Sequence, residues 1–303
     1  MERVGVIGAT SLVGKFLLPL VEQGNVAVVA FSRRLRADDQ ELTGHKLIWK
    51  TLPECNLAGS RSPESAPEEI QDWICLAPIW VLRDYFSFLE ACGVRRIVAL
   101  SSTSLFTKSA SDDAAEREVA SRLAINEKLL IQWAREKKIA YTILRPTLIY
   151  GLRRDGNVSS IIRFVERFHF FPFFGPAQGL RQPIHAGDVA RACWAALQSE
   201  KAVNRCYNIS GGETLTYKAM VERIFLALGK KPRTLTCPFW VFRLALSLLR
   251  NLPPFRGLSA NMVERMNKDL TFEHSAAADD FGFKPCPFRL GKEDIAKGSS
   301  VGK

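Results

Sequence analysis

Metal-binding side chains are scarce in this sequence of 303 residues. It contains four histidines and seven cysteines, and no two of the cysteines form a Cys-x-x-Cys pair. A structural zinc site needs four such side chains at close, regular spacing, so we predict no metal centre. The cysteines are interpreted as reduced thiols.

Long apolar runs are also absent, although 47% of the residues are hydrophobic. No stretch reaches the roughly 20 apolar residues of a membrane-spanning helix, and the first residues are typical of a strand and not of a signal peptide. The composition therefore predicts a cytoplasmic globular protein with a substantial core.

Acidic residues are under-represented in the second half of the chain. Residues 151–303 hold 23 basic residues against 13 acidic ones, so most of the net charge of +11 lies there. Such an excess favours an acidic or phosphorylated small-molecule substrate or an anionic membrane surface. No nucleic-acid reader motif accompanies it, and we predict no nucleic-acid partner.

The first half opens with a strand, a tight turn and the start of a helix. The apolar run Val4–Ile7 leads into GATSLVG, after which apolar residues recur at helical spacing from Phe16 to Val21. Backbone N–H groups at such a helix start can hold a pyrophosphate. Ser11 stands where a dinucleotide loop commonly has its middle glycine. The predicted cofactor loop consists of Gly8, Ala9, Thr10, Ser11, Leu12, Val13 and Gly14.

A second apolar strand, Val26–Phe31, ends in Ser32, Arg33 and Arg34. The residue after this strand meets the adenosine ribose in a dinucleotide fold, where an acid accepts the 2′-hydroxyl of NAD and an arginine suits the 2′-phosphate of NADP. Two arginines, with no acid before Asp38, favour NADP as the cofactor. NAD is the alternative.

Strands and helices alternate through the rest of the first half, which is typical of a parallel sheet covered on both faces. The predicted fold is α/β, a doubly wound Rossmann sheet with a small C-terminal α/β substrate lobe. We place the Rossmann core at residues 1–150, and expect residues 151–303 to complete the sheet and form the lobe. Further strands are predicted at Leu47–Trp49, Trp73–Ala77, Arg96–Leu100 and Ala140–Leu144. One helix is predicted at Ile79–Ala91, and a long helix follows Asp112 and Asp113 and runs to about Lys137.

Five motifs in this order resemble the atypical or extended short-chain dehydrogenase/reductases, the group that includes nucleotide-sugar epimerases and dehydratases. They are GATSLVG at 8–14, RIVALSST at 96–103, LRPTLIYG at 144–151, RQPIHAGDVARA at 181–192 and YNISGGETLTY at 207–217. The loop, the SST cluster and the segment GFKPCPF also resemble the branch related to the respiratory complex I accessory subunit of this fold.

The resemblance implies where a dinucleotide would lie. It implies a substrate-holding role for the Thr103 hydroxyl. It places Leu76, Ala77 and Pro78 against the adenosine and its ribose, Ser101 and Ser102 near the nicotinamide, and Pro146, Thr147, Leu148 and Ile149 along the nicotinamide.

The resemblance also implies a proton relay that this sequence lacks. The family uses a Tyr-x-x-x-Lys pair on the long helix, in which the lysine lowers the tyrosine pKa and the tyrosine exchanges a proton with the substrate. No tyrosine occurs between Asp112 and Lys138. The usual acid is therefore absent in every register.

Two registers give different substitutes for the pair. If Lys128 is the family's lysine, Ala124 replaces the tyrosine. In the alternative register, Val119 and Leu123 replace the tyrosine and the lysine. We prefer the second, because Glu127 then follows the lysine position by four residues, as it does in the family.

The second half supplies the expected substrate side. Arg153, Arg154 and Arg181 are expected to meet a substrate phosphate, since guanidinium groups suit phosphate. By resemblance, His185 lies where the chain returns into the substrate lobe, either as a substrate contact or as a structural histidine. The acid-free segment Pro238–Leu258 is predicted to be a lid or interface helix, with peripheral membrane contact as the alternative.

Two hypotheses for function follow. The first is an NADP-dependent enzyme of the epimerase, dehydratase or reductase class, acting on a phosphorylated or nucleotide-linked substrate with an unusual acid. Tyr150, His185 and Tyr207 are the candidates for that acid. The alternative is a non-catalytic NAD(P)-binding scaffold or redox sensor.

The cofactor preference has a direct test. Changing Arg33→Ala together with Arg34→Ala removes both groups that suit a 2′-phosphate, so NADP should bind roughly tenfold more weakly or worse while NAD binding is unchanged. Calorimetry with each nucleotide measures this. Equal affinity for both nucleotides, indifferent to the change, would show that the 2′-phosphate argument is wrong.

Overall fold

The central sheet consists of seven parallel strands. The computed structural model describes residues 2–33, 46–53, 68–237 and 265–296. Its strands are β1 (Arg3–Ile7), β2 (Ala27–Ser32), β3 (Leu47–Thr51), β4 (Asp72–Cys75), β5 (Arg96–Leu100), β6 (Ala140–Pro146), β7 (Ile149–Tyr150), β8 (Phe171–Phe174), β9 (Leu180–Arg181), β10 (Ile184–His185), β11 (Arg205–Ile209), β12 (Leu215–Thr216) and β13 (Thr234–Cys237).

The order of strands across this sheet is β3-β2-β1-β4-β5-β6-β11, with every neighbouring pair parallel. This confirms the predicted Rossmann fold. The direction of strand succession reverses between β1 and β4, which opens a crevice at the carboxyl ends of these strands. The edge strand β11 comes from the second half of the chain.

Helices cover both faces of the sheet. The helices are α1 (Gly14–Gln23), α2 (Ile79–Leu82), α3 (Phe86–Ala91), α4 (Ser104–Thr107), α5 (Ala114–Lys137), α6 (Val158–Phe168), α7 (Ala186–Gln198), α8 (Tyr217–Ala227), α9 (Ser275–Phe281) and α10 (Lys292–Ile295). Helices α1 and α7 bury their apolar side chains on one face, and α3 and α5 do so on the other. This is why the strands are apolar on both sides.

The long helix α5 has clear start and stop signals. The Asp113 carboxylate accepts a hydrogen bond from the Ala115 N–H at 2.9 Å, which caps the first turn. At the other end Lys138 adopts a left-handed conformation with φ of 56°, a common helix stop. The predicted bounds of this helix are confirmed.

The helix predicted at Ile79–Ala91 is divided in the structure. Helices α2 and α3 are separated by a 3₁₀ turn at Arg83–Tyr85. Tyr85 leaves the helical region, with φ of −113° and ψ of 8°, and is buried. Periodicity alone predicts a continuous helix because both pieces present apolar residues to the same core.

The second half builds a smaller core of its own. Helices α6 and α8 pack together over the short parallel pair β8 and β13. In the phenylalanine run, Phe171, Phe173 and Phe174 are buried in this core, whereas Phe170 is exposed. No helix in the described part of the chain could cross a bilayer. The predicted segment Pro238–Leu258 lies outside the described residues.

Within the turn after β1, Gly14 is the position where an added side chain would fit least well. A Cβ atom there would lie 2.0 Å from the carbonyl oxygen of Ala9. We expect Gly14→Ala to lower the free energy of unfolding by about 1–3 kcal/mol, because backbone must move to relieve the overlap. Denaturant unfolding measures this. The control is Gly156→Ala, whose Cβ would meet nothing within 4 Å, and equal stability of both variants would contradict the prediction.

Candidate functional site

A cleft of about 570 Å³ lies along the carboxyl ends of the central strands. This is the crevice that the strand order predicts for a ligand. Fourteen of the side chains expected from the sequence line it: Ser11, Leu12, Val13, Leu76, Ala77, Pro78, Ser101, Ser102, Thr103, Pro146, Thr147, Leu148, Ile149 and Arg181.

The turn after β1 brings the main chain close to the cleft. Gly8 has a φ of +78°, and a Cβ atom there would lie 2.7 Å from the Ala77 nitrogen. Only glycine adopts this conformation without strain and lets the two loops approach this closely. The turn also contains Gly8, Ala9, Thr10 and Gly14, none of which lines the cleft.

The start of α1 offers hydrogen-bond donors to the cleft. The main-chain N–H groups of Leu12 and Val13 have no acceptor among the described residues, and both residues line the cleft. Free N–H groups at a helix start attract anions. The donor set therefore fits a pyrophosphate.

Ser11 changes this donor set in one respect. Its hydroxyl oxygen accepts a hydrogen bond from the Gly14 N–H at 3.1 Å. A glycine in place of Ser11 would leave that N–H without this partner. The serine thus caps α1 and uses one of the donors that the loop could otherwise offer.

The end of β2 and the one described residue that follows it lie outside the cleft lining. Ser32 is buried and Arg33 is exposed, and neither lines the cleft. Arg34 lies outside the described residues.

Three consecutive hydroxyl residues after β5 form one wall of the cleft. The Ser101 hydroxyl donates to a Glu127 carboxylate oxygen at 2.5 Å, and the Ser102 hydroxyl accepts from the Ser104 N–H at 3.1 Å. The Thr103 hydroxyl donates to the Pro146 carbonyl oxygen at 3.2 Å. Thr103 lines the cleft with its proton engaged, so it can accept a hydrogen bond there.

A buried ion pair fixes α5 against the end of β6. The Arg145 Nε and Nη2 donate to the two Glu127 oxygens at 2.9 and 2.5 Å, and Glu127 is 4% exposed. Burial alone lowers the pKa of Arg145, but the hydrogen bonds and charge of Glu127 outweigh it and raise that pKa. The ion pair fixes the rotation of α5 about its own axis, because Glu127 must face the end of β6.

This rotation decides between the two registers of the relay. Val119 and Leu123 line the cleft, and so does Thr103. Lys128 is exposed on α5 and, like Ala124, is not part of the lining. The structure thus agrees with the preferred register, in which aliphatic side chains stand at both relay positions.

The three candidate acids all lie outside this lining. The Tyr150 hydroxyl donates to the Arg289 carbonyl oxygen at 3.0 Å, and burial raises its pKa well above the usual range. The Tyr207 hydroxyl donates to Asp280 at 2.6 Å, and burial followed by this bond raises its pKa to about 12. Both tyrosines serve as structural contacts.

His185 is a structural histidine by its contacts. Its Nδ1 accepts from the Gly187 N–H at 3.1 Å, which caps α7, and its Nε2 lies 3.5 Å from Asp294. Although burial raises the pKa of Asp294, hydrogen bonds from His185 and two backbone N–H groups outweigh it and lower that pKa. The ring ties α7 to the C-terminal part of the chain.

The three arginines expected at the substrate have different surroundings. Arg153 pairs with Glu166 at 2.6 Å and Arg154 is exposed, and neither lines the cleft. Arg181 does line it, at 4% exposure. Its guanidinium donates to the carbonyl oxygens of Leu180 and Lys268 at 2.7 Å, and burial lowers its pKa to about 10.

Sequence reasoning missed part of the lining. Lys108, Trp80 and Phe272 also line the cleft, as does Arg265, which pairs with Glu116 at 3.0 Å. Lys108 lies shortly after the SST cluster, and that proximity was the available signal. Nothing local predicts Phe272, which comes from the C-terminal part of the chain. No group of three or more metal-ligating side chains occurs among the described residues.

The fold and this cleft define a Rossmann protein with a site at the carboxyl ends of its parallel strands. Residues 82–210 match the model of the NAD dependent epimerase/dehydratase family. A UDP-glucose 4-epimerase of Vibrio cholerae is 24% identical over 202 residues, which are 64% of this chain and 59% of that protein. The match spans less than two thirds of that relative's length.

Solved structures share the fold over nearly the whole chain. A UDP-glucose 4-epimerase of Thermotoga maritima with UDP-glucose has a TM-score of 0.64 at 15% identity, covering 96% of this chain and 95% of that one. A UDP-glucuronic acid 4-epimerase of Bacillus cereus in complex with NAD has a TM-score of 0.68 at 15% identity, with the same coverage. The chain therefore shares the fold of these enzymes, and its residues 82–210 match the model of the NAD dependent epimerase/dehydratase family.

The Glu127–Arg145 pair is open to a stability test. We expect Glu127→Ala to lower the free energy of unfolding by roughly 3–5 kcal/mol, because it leaves a partly buried guanidinium without its counter-ion. Denaturant unfolding provides the measurement. The control is Glu118→Ala, at an exposed position of the same helix. A loss of stability no greater than in this control would contradict a stabilising role for the Glu127–Arg145 pair.

Proposed function

We propose that the chain binds a nicotinamide dinucleotide in this cleft, beside a phosphorylated or nucleotide-linked ligand, and lacks the tyrosine–lysine relay of its family. One observation carries the proposal. Most of the residues that the sequence assigns to a dinucleotide line the cleft, and Val119 and Leu123, which stand at the expected relay positions, are part of the same lining.

The residues that would hold the dinucleotide come from three loops. The N–H groups of Leu12 and Val13 would meet the pyrophosphate, and Ala77 and Pro78 the adenosine side. The loop Pro146–Ile149 would lie along the nicotinamide, which when bound supplies the hydride donor or acceptor. The arginines after β2 favour NADP, and the related Bacillus cereus enzyme contains NAD.

Positive charge supports an acidic second ligand. Arg181, Arg265 and Lys108 line the cleft, and Asp155 is its one lining carboxylate among the described residues. The Asp155 oxygens accept hydrogen bonds from the Ser159 hydroxyl and from two N–H groups at the start of α6. The Thermotoga relative was solved with UDP-glucose, a ligand of this chemical class.

Cofactor binding without turnover is the function this geometry supports best. An acid matched to neutral pH is worth about 10²- to 10⁴-fold in rate, and the tyrosine and histidine candidates are bonded elsewhere. A second candidate is an enzyme that takes its proton from Lys108. The observation favouring it is that Lys108 lines the cleft, where its ammonium lies 3.7 Å from a Glu116 carboxylate oxygen.

Cofactor binding can be tested by filling the cleft. Ala77→Trp places an indole where the adenosine side would lie, so NAD(P)H should bind roughly tenfold more weakly or worse. Calorimetry with NADH and NADPH measures the change. Ala115→Trp, on an exposed position of α5, should bind as the unchanged protein does. Failure of the unchanged protein to bind either nucleotide would overturn the proposal.

The missing relay can be tested by restoring it. We expect Val119→Tyr with Leu123→Lys to raise turnover of UDP-glucose or UDP-glucuronic acid by about 10²- to 10⁴-fold over an undetectable or slow background. Product analysis after incubation with the dinucleotide measures it. Val119→Phe with Leu123→Met controls for the added bulk.

A different result would favour the second candidate. Efficient turnover by the unchanged chain, abolished by Lys108→Met without loss of nucleotide binding, would identify an enzyme with Lys108 as its acid. That outcome would contradict our proposal that the chain has no turnover, but it would leave the proposed cofactor site unchanged.

A further inference from the structure

Exposed apolar side chains lie on three connected segments of the second half of the chain. Three of the six large apolar side chains that are exposed in the described residues lie there: Phe170 at 37%, Leu226 at 63% and Leu235 at 56% exposure. Phe168 joins them, with its ring centroid 6.5 Å from that of Phe170. Scattered exposed apolar side chains are ordinary, but a local concentration indicates a contact surface.

Hydrogen bonds hold the segments of this cluster together. The Phe171 N–H donates to the Arg233 carbonyl oxygen at 2.9 Å, which joins the Phe170 turn to the start of β13. The Lys230 ammonium lies 2.9 Å from the Nδ1 of His169. The Gly229 N–H donates to the Leu226 carbonyl oxygen at 2.9 Å, which closes the end of α8 directly before Lys230.

Five basic residues flank the cluster. Arg163 and Arg167 are exposed on α6, and Lys230, Lys231 and Arg233 follow α8. The Arg167 guanidinium lies 5.4 Å from the Phe168 ring centroid. We call these five residues, with Phe168, Phe170, Leu226 and Leu235, the basic-apolar edge.

The charge at this edge has one sign. Glu166 is paired with Arg153 at 2.6 Å, and Glu222 lies 4.0 Å from Lys218. No acidic residue occurs in the sequence from Arg223 to Cys237. Apolar side chains flanked by basic residues are typical of a surface that binds anionic lipid headgroups.

The edge is separate from the cleft. Helix α6 begins at the cleft, where Asn157 is part of the lining, and ends at Phe168 in the edge. Its 11 residues extend over about 16 Å at the α-helical rise per residue. Contact at the edge would therefore leave the cleft open.

We propose that the basic-apolar edge rests on the surface of a bilayer that contains anionic phospholipid, with its phenylalanine and leucine side chains at the headgroup boundary. Four apolar side chains are few for a stable protein interface, which takes about 20–30 residues on each side. A lipid surface needs no matching shape, and its negative potential complements five basic groups.

Flotation with the full chain tests this surface. We expect binding to vesicles of phosphatidylcholine mixed with phosphatidylglycerol, weakening in high salt, and little binding to phosphatidylcholine alone. Lys231→Gln with Arg233→Gln should reduce the partition coefficient roughly 25-fold, since each basic group near such a surface contributes about fivefold. The control Lys128→Gln with Arg135→Gln removes the same charge from exposed positions of α5 and should reduce binding much less.

The apolar contribution has its own variants. Phe170→Ser with Leu235→Ser should weaken binding at all salt concentrations, while Ile125→Ser, exposed at 52% on α5, should not. Nucleotide binding and thermal unfolding should be unchanged in every variant, because the altered side chains are exposed and lie away from the cleft.

Four results would overturn the proposal. They are no binding to anionic vesicles, equal binding to neutral vesicles, equal losses in the edge and α5 variants, and loss of binding only on changing Arg243→Gln with Arg250→Gln. The last would assign the contact to the segment that follows β13. A dimer that is lost in the Phe170→Ser, Leu235→Ser variant, without lipid binding, would assign the edge to a second copy of the chain.

Discussion

The bidentate contact between Glu127 and Arg145 is the constraint on which the geometry of the site depends. A carboxylate at 4% exposure is costly unless its charge is paired and hydrogen-bonded, so α5 can take only the rotation that presents Glu127 to the end of β6. The same carboxylate receives the Ser101 hydroxyl. One group thereby connects the helix, the strand β6 and the hydroxyl wall of the cleft.

The rotation of α5 also bears on the proposed separation of cofactor binding from chemistry. It turns the helix face carrying Val119 and Leu123 to the cleft, where the family places a tyrosine and a lysine. Two aliphatic side chains can pack against a bound ring but cannot exchange a proton. The described helix thus presents aliphatic side chains to the cleft at both of these positions.

Features that depend on neighbouring residues were predictable from the sequence. Strand runs such as RIVAL, the cap at Asp113 and the glycine turn at Gly8 follow from local periodicity and backbone preference. The register of α5 followed from the spacing to Glu127. Local patterns indicated many of the residues that line the cleft, because these belong to loops that directly follow strands.

The contacts that could not be predicted from the sequence join segments that are far apart along the chain. Tyr150 bonds to Arg289, and Phe272 reaches the cleft from the far end of the chain. Arg153 and Arg181 look alike in sequence, yet one meets a glutamate and the other a set of carbonyl oxygens. The division of the helix predicted at 79–91 likewise depends on how Tyr85 packs in the core.

The hydroxyl of Ser11 has a consequence for the turn after β1. Because it caps the Gly14 N–H, the turn satisfies part of its own hydrogen bonding through its own side chain. A glycine at this position would leave that N–H to another acceptor and would give the main chain more conformational freedom in the unfolded state. The serine therefore contributes to the stability of the turn and also changes the set of donors that face the cleft.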